Sequence, residues 1–143
     1  MSRFDQLKKL EVSGTKTARM TLHALESEPV LILAPATEEN KPYFNGLLKR
    51  NARNLTRIQS RTITVSVTKE NRDEDRRLYA EHVVRGWENV LDSQGNQVPF
   101  DKEVCLEFLT ALPGYIFDDV RVFATNPRNF TDEVVDHEEV SGN

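Results

Sequence analysis

The chain predicts an α+β fold, a small antiparallel β-sheet with a covering helix in the N-terminal half and a helical C-terminal half. Three patterns carry that expectation. Apolar and polar residues alternate at period two over 17–25 and again over 61–68. Val30 to Ala34 is a continuous apolar run bounded by proline on each side. From Asn71 onward, apolar residues recur at helical spacing. With 143 residues the chain is long enough to bury one core without disulfides. A single domain over 1–130 is expected, with the sheet and its helix in 13–70, the helical part in 71–130 and an acidic flexible tail at 131–143.

Taken in order, Phe4, Leu7 and Leu10 recur every third residue around Lys8 and Lys9, one or two turns of amphipathic helix. So short a helix needs its apolar side docked on the body or on another subunit, and docking on the same chain is the expectation. In Thr17–Leu25 the apolar Met20, Leu22 and Ala24 alternate with Arg19, Thr21 and His23, as in a strand with one wet face. Glu26-Ser27-Glu28 is a short enough link to pair this strand antiparallel with the apolar run after Pro29.

A helix then runs to about Thr56, with Thr37 or Asn40 as its cap. Pro42 favours the later start, and Gly46 costs about 1 kcal/mol relative to alanine. Its apolar face would use Tyr43, Phe44, Leu47, Leu48, Ala52 and Leu55, leaving Lys49, Arg50 and Arg53 in water. Arg61–Thr68, rich in β-branched residues, predicts the third strand. The acids Asp73, Glu74 and Asp75 then open a charged helix over 71–85, with Leu78, Tyr79, His82, Val83 and Trp87 near one side at helical spacing and Gly86 loosening its end.

Val90-Leu91 and Val98-Phe100 flank a polar turn in which Gly95-Asn96 tolerates positive φ. Asp101 is placed to cap a helix over Lys102–Leu112, whose apolar set is Val104, Cys105, Phe108, Leu109 and Leu112. Pro113 ends it and starts the next, Gly114 to about Thr125, which presents Ile116, Phe117, Val120, Phe123 and Ala124 on one face.

No catalytic, cofactor-binding or metal-binding set emerges. His23, His82 and His137 fall in different elements and only Cys105 supplies sulfur, a poor basis for a metal site. Adjacent helical carboxylates such as Asp118-Asp119 point about 100° apart and read as solvated surface, as do Asp73 and Asp75. Cys105 sits among apolar neighbours and reads as core. Ser13-Gly14-Thr15-Lys16 lacks the spacing of a phosphate loop. A net charge of -4 argues against nucleic acid as a partner, and Lys49, Arg50, Arg53 and Arg57 read as the wet side of a helix. No apolar run reaches the roughly 20 residues of a membrane span, nor does a signal peptide open the chain, so a cytoplasmic location and no membrane partner are expected.

Seven large rings, Trp87, Phe100, Phe108, Tyr115, Phe117, Phe123 and Phe130, crowd the stretch from Gly86 to Phe130. Two short helices cannot easily cover all of them, so a binding surface is expected there rather than an enzyme active site. The candidate partner-binding residues are Trp87, Phe100, Tyr115, Phe117, Phe123 and Phe130, with Tyr115, Phe117 and Phe130 chosen as the exposed ones.

The spacing Trp87, Val90, Asp92, Gly95, Phe100 spells W-x-x-V-x-D-x-x-G-x-x-x-x-F, followed by a helix, a Leu112-Pro113 break and the closing Asn126–Phe130 segment. It resembles the small tail assembly chaperones of long-tailed bacteriophages, over roughly Glu81 to Phe130. The resemblance implies a homo-oligomer in the host cytoplasm that coats the tape measure protein before the tail tube forms. It also implies recruitment of the tail tube protein, often through a frameshifted C-terminal extension, which an acidic end would suit. The alternative is a structural virion protein, a head decoration or tail accessory component.

Overall fold

A computed structural model describes the backbone of residues 3–60 and 65–131 and the side chains of residues 3–52 and 71–131. Three strands form one antiparallel sheet in the order β1 (Ala18–Thr21), β2 (Val30–Leu33), β3 (Val84–Glu88). The apolar run of β2 takes the centre because it alone can be covered on both faces, and Leu31 and Leu33 are fully buried. Arg19 pairs with Ile32 and Thr21 with Val30, while on the other side Val30 faces Glu88 and Leu31 faces Trp87. On the wet face Arg19 reaches across β2 to Glu88 in a two-pronged contact of 2.6 and 2.9 Å.

Among the described residues, four α-helices follow or interrupt the sheet: α1 (Lys41–Ser60), α2 (Val65–His82), α3 (Lys102–Ala111) and α4 (Gly114–Thr125), with short 3-10 helices at Asp5–Leu10 and Pro127–Phe130. Helix α2 packs along both α1 and α3, and leads directly into β3. The core is built from Leu31, Leu33 and Val84 of the sheet, Tyr43 of α1, Tyr79 and Ala80 of α2, Cys105 and Leu109 of α3, and Ile116, Phe117 and Val120 of α4. Edge-to-face ring contacts run through it from Tyr43 to Tyr79 (5.9 Å) and on to Phe117 (5.5 Å).

The α+β class, the first two strands and helices α3 and α4 match the sequence reading, down to Asp101, whose carboxylate accepts from the Glu103 and Val104 amides. The third strand does not. Of Arg61–Thr68, residues 61–64 lie outside the described residues, and Val65 onward forms the first turns of α2. β-branching favours a strand only where a neighbouring strand receives it, and the free edge of β2 is taken by Val84–Glu88. The charged helix thus starts earlier than expected and ends at His82, putting Trp87 in a strand instead of on a helix. Gly86 faces Ile32 across this pairing, where a Cβ would find ordinary contact at 3.6 Å.

Helix α1 starts at Lys41, the later of the two predicted starts, but Asn40 does not cap it with its side chain. The Asn40 carbonyl accepts the first helical bond from Phe44 (2.9 Å), while its side-chain amide turns inward and donates to Pro35 (2.9 Å) and His82 (2.8 Å). Those two carbonyls hold the amide turned away from the helix, and its Oδ1, the atom that would cap α1, accepts no hydrogen bond among the described residues. The face of α1 is also rotated from expectation, since Leu48 and Ala52 are exposed while Arg50 is turned inward. Gly46 lets α2 approach closely, for a Cβ there would lie 2.6 Å from the Leu78 side chain. The N-terminal 3-10 helix likewise departs from the predicted docking on the same chain. Leu7 and Leu10 remain 51% and 47% exposed. After this helix the chain is anchored by the Val12–Thr131 bridge, the Ser13 amide on the Phe130 carbonyl (3.2 Å) and the Lys16 ammonium on the Thr131 carbonyl. Thr131, which the sequence assigns to the tail, is buried at that anchor, and 132–143 lie outside the described residues.

Candidate partner-binding surfaces

The five spaced residues from Trp87 to Phe100 fold as one local unit. Asn89 takes a positive φ of 60° and swings the chain out of β3, so that Val90 is buried and Leu91 pairs with Gln97. Asp92 closes the turn by accepting from the Gln94 and Asn96 amides, each at 2.9 Å, and Gly95 adopts the φ of +82° that side chains resist. The returning strand bonds Val98 to the Val90 carbonyl (2.8 Å), and the Trp87 indole donates to the Val98 carbonyl (2.8 Å). Phe100 and Phe108 then stand edge-on to the indole at 5.2 and 5.4 Å. Each spaced residue thus has a conformational duty within this clasp.

Beside the clasp lies a cleft of about 440 Å³, within the size range of binding sites. Its apolar lining is Leu25, Pro29, Val90, Leu91 and Phe108, and its charged lining is Glu26 and Asp92. One wall is the β1–β2 turn and the other is the clasp turn, joined where Ser27 donates to the Asn89 carbonyl (2.9 Å). Leu91 stands 42% exposed at its edge.

The remaining rings divide sharply. Phe117 and Phe130, expected at the surface, are fully buried, so neither is available to a partner. Phe117 fills the centre of the core beneath the guanidinium groups of Arg76 (5.1 Å) and Arg121 (5.9 Å), and Phe130 closes against Phe123 (6.3 Å). Trp87, Phe100 and Phe123 are half-buried. Only Tyr115 among the chosen rings is exposed, at 69%, and Val122, two turns further along α4, joins it at 71% with Asp119 between them on the same side. Sequence reasoning missed Leu91 and Val122 because it ranked rings and overlooked aliphatic residues. The signal for Val122 was its i+7 spacing from Tyr115 on the side opposite the buried set.

Of the carboxylates read as solvated surface, Asp119 is exposed as expected, Asp73 is exposed but ion-paired and Asp118 is half-buried and ion-paired, whereas Asp75 is buried in an ionic network. Asp75, 6% exposed, accepts from Arg50 and pairs with Arg121 (2.9 Å). Arg121 also holds Asp118 (2.9 Å), which Arg72 approaches at 3.2 Å. Burial alone would raise the Asp118 carboxyl, but the Arg121 hydrogen bond and the Arg72 charge outweigh it and hold it below the usual carboxylate range. Arg76 caps α3 by donating to the Leu109 (2.9 Å) and Leu112 (3.1 Å) carbonyls. Burial pushes the Cys105 thiol up to about 12, consistent with core packing. Among the described residues, no group of three His, Cys, Asp or Glu side chains is placed to hold a metal ion, and no helix is long and apolar enough to cross a membrane.

The architecture defines a small α+β domain in which a three-stranded sheet is packed by four helices and edged by a tryptophan clasp. The chain belongs to the YdaY prophage protein family, whose model matches residues 39–143, from the turn before α1 through the clasp, α3 and α4. It is therefore a phage-associated protein. No curated protein and no solved structure matches it.

Proposed function

We propose that this protein is a tail assembly chaperone that binds and shields the tape measure protein during tail morphogenesis, acting by binding rather than catalysis. The observation that carries this reading is that the W-x-x-V-x-D-x-x-G-x-x-x-x-F residues, on which the resemblance rests, form one continuous clasp in a prophage-family chain. A tape measure chain exposes repeated apolar helical faces, which aggregate unless covered. The exposed Tyr115–Val122 ridge of α4 offers a matching helical surface whose opposite side is sealed into the core. In this reading the protein works as a homo-oligomer in the host cytoplasm, hands its client to the tail tube protein, and engages neither nucleic acid nor membrane.

Co-expression with the tape measure and tube proteins of the same phage tests it. The tape measure protein should co-purify with the wild-type chain and be lost with the double variant Tyr115→Asp, Val122→Asp. Capture retained by that variant overturns the choice of surface. A wild-type chain that captures no tape measure protein overturns the function. The uncovered Leu7–Leu10 ridge also suits a structural virion protein that locks onto its neighbours, a head decoration or tail accessory component. Mass spectrometry of purified particles separates the two, since only a virion component persists there.

A further inference from the structure

We infer that the N-terminal 3-10 helix of one copy seats its Leu7–Leu10 ridge in the cleft between the β1–β2 turn and the tryptophan clasp of a second copy. The inference rests on the homo-oligomer in the proposed function and names its contact. Both halves are present and uncovered on every copy. The ridge presents two leucines three residues apart, on the same side of a 3-10 helix, and the cleft offers Leu25, Leu91 and Phe108 above the buried Pro29 and Val90.

Charge agrees with that assignment. Lys8, with Asp5 at 3.7 Å, and Lys9 sit between the two leucines, while the charged residues lining the cleft are Glu26 and Asp92, both acidic and exposed. A cleft pairing with its own twin would instead set these acids against one another.

The sheet prevents a copy from filling its own cleft. The N-terminal segment leaves the body at the end where Ala18 pairs with Leu33, since Gly14 packs against the Glu39 backbone that follows β2. The cleft opens at the other end, past Thr21, Val30 and Glu88, where the β1–β2 turn meets the clasp. Intramolecular seating would have to break the Val12–Thr131 bridge and the Ser13–Phe130 bond. With ridge and cleft at opposite ends, the contact is head-to-tail, so each copy that gives its ridge to one neighbour offers its cleft to another. A row of copies is the form that covering a long helical client requires.

Sedimentation of the full-length chain across a concentration series tests this. The wild type should grow in mass with concentration. Leu7→Asp with Leu10→Asp, and separately Leu91→Asp, should each weaken association by at least about tenfold. All three side chains are exposed, so circular dichroism should report unchanged folds. An equimolar mixture of the two variants should form a one-to-one dimer and stop there, because one intact ridge and one intact cleft remain. The charge variant Glu26→Lys should weaken association, and adding Lys8→Glu and Lys9→Glu should restore it.

A wild type that stays monomeric, variants that assemble like the wild type, or a mixture that forms no dimer overturns the inference. Loss of assembly with tape measure capture intact leaves the chaperone reading standing without this contact. Assembly as described in a chain that captures no tape measure protein does the reverse.

Discussion

Replacing Asp75 by alanine should cost about 3 kcal/mol of folding stability, the lower end of what breaking a buried ion pair costs. Asp75 is held by Arg50 from α1 and by Arg121 from α4, so one carboxylate links three helices. Removing it leaves the two cations unequally placed. Arg121 is 35% exposed and keeps Asp118, whereas the Arg50 side chain is only 14% exposed and has Glu74 no nearer than 3.7 Å. The stranded Arg50 charge is the source of the penalty, and its partial access to water holds the figure near the low end. Urea denaturation should show the loss as a lower midpoint at unchanged slope, and thermal melting as a drop of about 10 °C. The double variant Arg50→Met, Asp75→Leu should recover most of it, because an apolar pair leaves no uncompensated charge. A loss below about 1 kcal/mol in Asp75→Ala, the range of exposed pairs, would refute the buried linkage.

Further tests address other parts of the chain. Cys105 should resist Ellman's reagent at pH 8 in the native protein and react fully in denaturant, since burial raises its thiol to about 12; rapid native labelling would contradict the core assignment. Gly14→Ala should lower the melting temperature by the equivalent of about 1–3 kcal/mol, because its Cβ would lie 2.1 Å from the Glu39 carbonyl oxygen and backbone must shift. Asp118, paired with Arg121 and Arg72, and Glu88, hydrogen-bonded by Arg19, both have carboxyls lowered in the folded state. Their contribution is therefore present above the unfolded carboxylate range of about 4 and is lost as pH falls through the lower folded values. Asp118→Asn should make the acid slope of stability shallower, and an unchanged slope would remove Asp118 from the account.

The elements legible in the sequence are those whose signals are local. Asp101 caps α3 through amides two and three residues away, and Pro113 separates α3 from α4 by lacking an amide hydrogen, so both boundaries are read from neighbours in the chain. The Asp92 turn is legible for the same reason, since its carboxylate and Gly95 act within five residues. Within the site, the clasp spacing and Tyr115 were visible as letters, but the burial of Phe117 and Phe130 was not. A ring's exposure depends on which other elements arrive to cover it.

Strand pairing and charge burial lie beyond that local reach. Val65–Thr68 is the richer of the two candidates in β-branched residues, VSVT against VRGWE, yet Val84–Glu88 pairs with β2, because α2 leads directly into it. Asp75 and Arg50 look like ordinary surface charges on amphipathic helices until α1, α2 and α4 converge, at which point Asp75, between Arg50 and Arg121, and its two cations make one another tolerable away from water. The amino-acid order alone determined the α+β class, the two closing helices and the clasp, since capping, proline and turn chemistry act over a few residues. Tertiary packing decided which segment completes the sheet, which charges are buried and which hydrophobic side chains stay outside, because those outcomes depend on contacts between residues far apart in the chain.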